Sequence, residues 1–134
     1  MRIPDDLVRA AEAARTRAHA PYSGYSVGAA VRSSDGGIHS GANVENASFP
    51  EGWCAETSAI AAMITHGARK IVEICVAGPP HTETLPCGGC RQRLAEFATP
   101  SVPVHVRGDE GTWRTILLGE LLPQAFGLKK GKEQ

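Results

Sequence analysis

The amino-acid sequence predicts an α/β fold in which helices pack on one mixed β-sheet. Two strand-like runs flank an Asp-Gly turn in the first third of the chain, which is a strong hairpin signal. Helical and strand-like segments then alternate along the rest of the chain, as expected for a sandwich of helices and a sheet. The chain has 134 residues, which predicts one domain large enough to fold without disulfide bonds.

The first part of the chain predicts a helix followed by two antiparallel strands. Apolar side chains recur at helical spacing within residues 5–18, at Leu7, Val8, Ala11, Ala14 and Ala18. The segment "SVGAAVRS" (26–33) predicts a strand, "SDGG" (34–37) predicts a tight turn, and "IHSGANVEN" (38–46) predicts the returning strand.

The second part of the chain predicts alternating helices and strands. The segment "CAETSAIAAMITHG" (54–67) predicts a helix that stops at Gly67. The segment "KIVEICVAG" (70–78) is nearly all apolar, which is typical of a central buried strand. The remaining elements are predicted to be a third helix at 87–98, strands at 102–108 and 112–118, and a helical turn within 119–127.

The charge balance argues against partners that bind through a strong electrostatic field. Fourteen basic residues match fourteen acidic ones, so we expect neither a nucleic-acid partner nor a membrane partner. No apolar stretch approaches the ~20 residues that a membrane span needs, and the first residues lack the apolar core of a secretory signal. These features predict a cytoplasmic protein. We expect a domain over residues 1–128, followed by a solvated tail at 129–134.

Three cysteines are placed where two helices are predicted to begin. Cys87 and Cys90 form a C-x-x-C at the start of the third helix, and Cys54 is the first residue of the predicted second helix. The positive end of a helix dipole favours thiolates, so two converging helix starts would bring three thiolates together. Three thiolates bind Zn²⁺ and leave one tetrahedral position open, which is typical of a catalytic rather than a structural zinc site.

Glu56 follows Cys54 by two residues, on the first turn of the same predicted helix. At this position its carboxylate can reach a water at the open zinc position without being a ligand itself. One carboxylate that takes a proton and later returns it is suited to the hydrolytic removal of an amino group.

Two other interpretations of the cysteines stay open at this point. Cys87 and Cys90 alone could form a thioredoxin-like redox pair. Cys75 could be the fourth ligand of a structural zinc knot, although its place in an apolar strand predicts a small core side chain. The redox pair leaves Cys54 and Glu56 without a role.

Together with these residues, four motifs resemble the small homotetrameric cytidine deaminases. The motifs are "APYSGYSVGAAV", "GANVENASF", "CAE" and "PCGGCRQ", in this order, and the resemblance runs from about residue 20 to Gly127. It implies a three-layer α/β/α sandwich with a central mixed five-stranded sheet. It also implies zinc-dependent hydrolytic deamination of cytidine and deoxycytidine to uridine and deoxyuridine, with release of ammonia, as in pyrimidine salvage. A homotetramer with sites shared across subunit interfaces is implied as well.

The resemblance also assigns roles to individual residues. It implies that Cys54, Cys87 and Cys90 bind one Zn²⁺ per subunit and that Glu56 is the proton shuttle. The "NVEN" motif would use Asn43 and Glu45 to hold ribose hydroxyls. The full set of implied substrate-binding residues is Tyr25, Asn43, Val44, Glu45, Asn46, Ala47, Ser48, Phe49, Ala55 and Phe126, the last of these reaching a site across an interface.

Two positions depart from the pattern of the family. Thr57 stands where many relatives have an Arg that hydrogen-bonds the zinc-bound sulfurs, and Phe49 stands where many have Tyr. Three thiolates on Zn²⁺ sum to −1, so we expect the helix dipoles, the Thr57 hydroxyl and Arg91 to temper the excess charge. The change at Phe49 removes a hydroxyl near the sugar.

Other functions remain open from the residues alone. The substrate could be another aminopyrimidine or a nucleoside antibiotic. A polynucleotide deaminase is disfavoured by the zero net charge, and a nucleotide by the lack of a phosphate-binding motif. A structural zinc module would bind metal through Cys75 and would not need Glu56. The histidines lack metal-ligand spacing and are predicted to be surface or packing residues; they are His19, His39, His66, His81 and His105.

Overall fold

A computed structural model describes residues 2–128 and shows a five-stranded mixed sheet. The strand order is β2-β1-β3-β4-β5. The strands are β1 Gly28–Ser33, β2 Ile38–Ala42, β3 Ile71–Ala77, β4 Pro103–Arg107 and β5 Trp113–Leu117. The predicted α/β fold class and all five predicted strands are confirmed.

Helices cover both faces of this sheet. They are α1 Asp5–Arg15, α2 Ala55–Thr65, α3 Gly88–Phe97 and the short α4 Leu118–Leu121, with a 3-10 turn at Phe49–Glu51. The helix α1 packs on one face, and α2 and α3 pack on the other, which gives the three layers of the predicted sandwich. Among residues 2–128, no helix combines the length and the apolar character that a bilayer span requires.

The strand directions follow from the lengths of the connections. A tight turn with Gly36 at a positive φ of 93° joins β1 to β2, and these strands pair antiparallel as predicted. The strands β3 and β4 pair parallel, which requires a crossover, and α3 provides it. The segment 78–87 leads from the end of β3 to the start of α3.

Side chains on the central strands alternate between two apolar clusters. Val31 and Ile74 are fully buried on the side of α2 and α3. Ala30 and Cys75 are fully buried on the side of α1. A strand that is covered on both faces exposes neither side to solvent, which explains the nearly continuous apolar sequence of β3.

The helix α2 approaches the edge strand β2 very closely at Gly41. A Cβ on Gly41 would lie 2.4 Å from Cβ of Ser58 and 2.5 Å from the backbone nitrogen of Ala59. Ser58 Oγ also donates a hydrogen bond to the carbonyl of Ala42 at 2.9 Å. These contacts fix the position of α2, which ends at Thr65, two residues before the predicted stop at Gly67, where φ is 100°.

Two predicted elements end three or more residues before their predicted ends. The helix α1 ends at Arg15 rather than residue 18, and His19 N then donates to the carbonyl of Asn43. The strand β2 ends at Ala42 rather than residue 46, because the chain beyond it bonds to loop segments instead of to β1. The predicted tail at 129–134 lies outside the described residues.

Candidate metal centre and substrate cavity

The helices α2 and α3 begin side by side, each directly after a cysteine. Cys54 is the N-cap of α2 and Cys87 is the N-cap of α3, and neither side chain caps its own helix. Their sulfur atoms lie 3.6 Å apart. Serine, threonine, aspartate or asparagine usually occupies this position and bonds to the helix backbone. Here the sulfur atoms instead point at each other, and both helix dipoles have their positive ends beside them.

Cys90, on the first turn of α3, completes a cluster of three thiols. The sulfur atoms of Cys54, Cys87 and Cys90 all lie within 4.8 Å of one another, and no other metal-ligating group of this size occurs within residues 2–128. Zinc–sulfur bonds of about 2.3 Å in a tetrahedron place sulfur atoms roughly 3.8 Å apart. The three sulfurs therefore fit Zn²⁺, and they leave a fourth position for another ligand.

The thiols of the cluster affect each other's ionisation. A hydrogen bond from the Cys90 thiol lowers the pKa of Cys54. The same hydrogen bond, together with burial, raises the pKa of Cys90. In the absence of a cation, the cluster thus favours a thiolate on Cys54 before one on Cys90.

Cys75 does not belong to this cluster. It is fully buried in β3 on the side of α1, whereas the three-thiol cluster lies at the starts of helices on the opposite side of the sheet. Burial raises the pKa of Cys75 to about 12, so it is a neutral thiol. Its predicted role as a small core side chain is confirmed, and the alternative of a four-cysteine knot fails.

Glu56 lies on the first turn of α2 with its side chain turned inward. It is only 4% exposed, and Ala55 beside it is fully buried. Burial raises the pKa of Glu56, while a hydrogen bond with Cys90 and the positive charge of Arg93 act in the opposite direction. A buried carboxyl with a raised pKa exchanges protons more readily near neutral pH than an ordinary glutamate does.

A cavity of about 590 Å³ opens onto Cys54, Cys87 and Glu56. It also contacts most of the predicted substrate-binding residues, namely Tyr25, Asn43, Val44, Glu45, Asn46, Phe49 and Ala55. Ala47, Ser48 and Phe126 do not line it. A volume of this size is typical of a small-molecule site.

Asn43 and Glu45 hold the wall of the cavity through their side chains. Asn43 Oδ1 accepts from the backbone nitrogen of Val27 at 2.9 Å, and its Nδ2 donates to the carbonyl of Tyr25 at 2.8 Å. Glu45 accepts hydrogen bonds from the backbone nitrogens of Tyr22 and Ser23 and from the Ser23 hydroxyl. These bonds, the Ser23 hydroxyl first among them, lower the pKa of Glu45, which is therefore a carboxylate.

The expectation that Asn43 and Glu45 lie on a strand is wrong. The strand has ended at Ala42, and Val44 instead forms isolated bridges with His19 and Trp53. The side-chain amide of Asn43 replaces a strand ladder, since it bonds to the backbone on both sides of residue 26.

Several cavity residues were not singled out from the sequence. They include Tyr22, Ser23, Val27, Gly52, Trp53, Thr84 and Leu85. Tyr22 and Ser23 fall in the "APYSGY" segment, and Trp53 directly precedes Cys54, so motif position could have indicated these three. Thr84 lies in the loop after β3, and its hydroxyl bonds to the phenol of Tyr25. No sequence signal connects these two residues.

Two of the predicted aromatic residues are strongly exposed. Phe49 is 74% exposed and packs edge-on against Tyr22, with 6.0 Å between ring centroids. Phe126 is 71% exposed, and its carbonyl accepts a hydrogen bond from Nε2 of Gln92.

The donors around the sulfurs differ in part from the prediction. Thr57 Oγ1 lies 3.7 Å from Cys90 Sγ, as expected. The expectation for Arg91 is wrong, because its guanidinium donates to the carbonyls of Pro86 and Leu121. Arg93 takes that place, with Nη1 3.8 Å from Cys90 Sγ.

The histidines stay apart from the three-thiol cluster. His105 is fully buried and bonds to Glu73 and Thr115, and His39 packs against His66 with 5.4 Å between ring centroids. These contacts confirm packing roles for His39, His66 and His105.

Comparison with known proteins identifies the family. The sequence pattern described as "Cytidine and deoxycytidylate deaminase zinc-binding region" matches residues 1–106, most of the chain and all three cysteines of the cluster. The chain belongs to the cytidine and deoxycytidylate deaminase family. The predicted resemblance is thereby confirmed, and with it the prediction of an enzyme that carries out hydrolytic deamination.

Individual relatives cover nearly the whole length of the chain. The cytidine deaminase of Halalkalibacterium halodurans is 39% identical over 120 residues, which cover 90% of this chain and 91% of the relative. That of Mycobacterium tuberculosis is 41% identical over 113 residues, covering 83% and 80%. A crystal structure of cytidine deaminase from Burkholderia pseudomallei superposes with a TM-score of 0.85 at 40% identity, covering 93% of this chain and all of that one.

Replacement of one cluster cysteine is expected to remove the metal from the enzyme. Cys87→Ser exchanges an exposed N-cap thiol for a much weaker zinc ligand, so the zinc retained after dialysis should fall to below about one tenth of the native content. Zinc is measured by atomic absorption against protein concentration.

Cys75→Ala is the matched control, because this cysteine lies on the other face of the sheet. It should retain the native zinc content. Loss of zinc from Cys75→Ala, with the fold intact, would contradict the three-cysteine site.

Proposed function

We propose that this enzyme hydrolyses cytidine and deoxycytidine to uridine and deoxyuridine and releases ammonia. The observation that supports the proposal is a buried carboxyl, that of Glu56, beside a cluster of three thiols at a cavity of about 590 Å³. The curated relatives named above are cytidine deaminases, which supports the same substrates.

The cofactor we propose is one Zn²⁺ per chain, held by Cys54, Cys87 and Cys90. When bound, zinc would supply the nucleophile for hydrolysis, because it can lower the pKa of a water from about 15.7 to about 7. Glu56 would take the proton of this water and deliver it to the pyrimidine ring, then carry a second proton to the leaving amino group. Its burial supports this role, since burial raises the pKa of this carboxyl and so favours the protonated form that donates the proton back.

The ribose would be held by Asn43 and Glu45. Each has already made bonds to the protein, yet each retains capacity for one more. Asn43 uses one of the two hydrogens on Nδ2, and the Glu45 carboxylate accepts three hydrogen bonds out of about four that it can accommodate. One free donor and one free acceptor suit a pair of sugar hydroxyls.

The base and the rest of the sugar would contact the other residues of the set. Tyr25 would pack against the pyrimidine, with its phenol anchored on Thr84. The remaining proposed contacts are Val44, Asn46, Ala47, Ser48, Phe49 and Ala55. Ala47 and Ser48 do not line the cavity, so we propose that they contact the substrate at its rim, next to Asn46 in the chain.

The charge of the cavity favours a nucleoside over a nucleotide or a polynucleotide. Among the described residues that line the cavity there is no Lys or Arg, whereas two glutamates, Glu45 and Glu56, do line it. A phosphate group would therefore enter without a cationic partner and next to a carboxylate.

The pathway and location we propose are pyrimidine salvage in the cytoplasm. The free cysteines support this location, because a cluster of three reduced thiols persists best in a reducing compartment. We further propose that residues 1–128 form one catalytic domain, with the metal centre and the cavity both built from it.

The substrate class is tested by ammonia release from four compounds side by side. We expect comparable rates with cytidine and deoxycytidine, and rates at least about 10-fold lower with cytosine and with cytidine monophosphate, because one lacks the ribose contacts and the other carries an unpaired phosphate. Equal rates with cytosine and cytidine would contradict the roles of Asn43 and Glu45. If the zinc-loaded protein releases no ammonia from any of the four compounds, the substrate would instead be a modified nucleoside.

The role of Glu56 is tested by substitution. Glu56→Ala and Glu56→Gln should each reduce turnover of cytidine by at least ~10²-fold, because the proton carrier is lost. Zinc content and melting temperature should remain near native values. Glu51→Gln is the control, since Glu51 is an exposed carboxylate of the neighbouring 3-10 turn and does not line the cavity. Retained turnover in both Glu56 variants would remove this residue from the mechanism.

We also propose a homotetramer in which Phe126 reaches the cavity of a neighbouring subunit. The exposure of large apolar side chains, 71% for Phe126 and 74% for Phe49, supports an interface on these surfaces. Sedimentation equilibrium should give about four times the chain mass. Phe126→Ala should weaken the tetramer and reduce turnover together. An active monomer would contradict this arrangement.

A further inference from the structure

The Cys90 thiol is the member of the cluster with two outside donors. Thr57 Oγ1 lies 3.7 Å from its sulfur and Arg93 Nη1 lies 3.8 Å from it. Arg93 follows Cys90 by three residues on α3, a spacing that puts both side chains on one helix face. The hydroxyl is neutral, so within the described part of the chain the guanidinium is the charged donor at this sulfur.

The neighbouring arginine does not compete for this position. Arg91 donates Nε to the carbonyl of Pro86 at 2.8 Å and Nη1 to the carbonyl of Leu121 at 3.0 Å. It thus ties the start of α3 to the end of α4. The two arginines of α3 have separate tasks, one directed to the backbone and the other to a sulfur.

The backbone of α3 leaves room for the Arg93 guanidinium at Gly89. A Cβ on Gly89 would lie 3.1 Å from Nη1 and 3.7 Å from Cζ of Arg93. The guanidinium therefore folds back along the helix over a position that lacks a side chain. Glycine between the two cysteines of the C-x-x-C thus permits the contact with Cys90.

We infer that Arg93 is a positioning residue that holds the Cys90 thiolate and offsets the excess negative charge of the metal centre. Three thiolates and one Zn²⁺ carry a net charge of −1, and a cationic donor to a ligand atom lowers its electron donation to the metal. The inference rests on the proposed zinc site, but it does not depend on which nucleoside is the substrate.

The test compares Arg93→Gln with the native protein in two measurements that do not use substrate. Cobalt-substituted protein reports the thiolates directly through its sulfur-to-cobalt charge-transfer band. We expect this band to move to lower energy in Arg93→Gln, because the sulfur that loses its donor becomes more electron-rich. Zinc transfer to a coloured chelator should be about 10-fold faster, because Cys90 is no longer held in position, and loss of a partner of a metal ligand usually costs at least this factor in metal affinity.

Two further variants separate this role from a structural one. Arg69→Gln is the control, since Arg69 donates to the carbonyls of Ile64 and Ala68 and should leave both measurements unchanged. In the double variant Thr57→Arg with Arg93→Gln, a guanidinium approaches Cys90 from α2, and both measurements should return toward native values.

The outcomes distinguish this inference from the proposed zinc site. If Arg93→Gln matches the native protein in band position and in transfer rate, the inference is wrong while the zinc site stands. If the double variant behaves like Arg93→Gln, a cation at Cys90 does not determine the band position or the transfer rate, and the inference is again wrong. Failure of the native protein to bind zinc or cobalt would overturn the metal centre and this inference together.

Discussion

The side-by-side start of α2 and α3 is the constraint on which the site depends. Each helix begins directly after a cysteine whose side chain leaves its own helix uncapped, so the sulfurs of Cys54 and Cys87 meet at 3.6 Å. The rest of the fold holds this arrangement. Gly41 lets α2 lie against β2 without a side chain between them, and α3 forms the crossover that joins the parallel strands β3 and β4.

This convergence collects negative charge that a protein without metal could not easily tolerate. Three thiolates and the buried Glu56 lie together, and two unit charges 4 Å apart repel by about 4 kcal/mol at an effective dielectric constant of 20. The hydrogen bond with Cys54 and burial raise the pKa of Cys90, and burial raises the pKa of Glu56, so both shifts favour the protonated forms that avoid this repulsion. A divalent cation held by the three cysteines would displace their thiol protons, so metal binding and the ionisation of the thiols would be coupled.

Much of the site could be predicted because it depends on local patterns. Cys54 at one predicted helix start, the C-x-x-C at another and Glu56 on the first turn could be brought together by helix geometry alone, and the apolar surroundings of Cys75 indicated its core position. The extended strand over Asn43 and Glu45 was wrong because side-chain bonds to residues 22–27 override the strand pattern. The contact of Arg93 with Cys90 was not predicted, although the three-residue spacing between them was visible in the sequence. The bond from Tyr25 to Thr84 joins two distant segments and could not be predicted.

In the irregular segment after β2, the side chains of Asn43 and Glu45 are held in place by the protein itself. The side chains of Asn43 and Glu45 make most of their hydrogen bonds with the backbone of residues 22–27. These bonds fix both side chains without a ligand. A regular strand would have bonded its backbone to a neighbour and left these side chains free to move. Because they are already ordered, a nucleoside bound by these two residues, as we propose, would order little more of the protein. Substitution of either residue is expected to loosen the segment 22–27, which includes Tyr25, and to remove the proposed sugar contact.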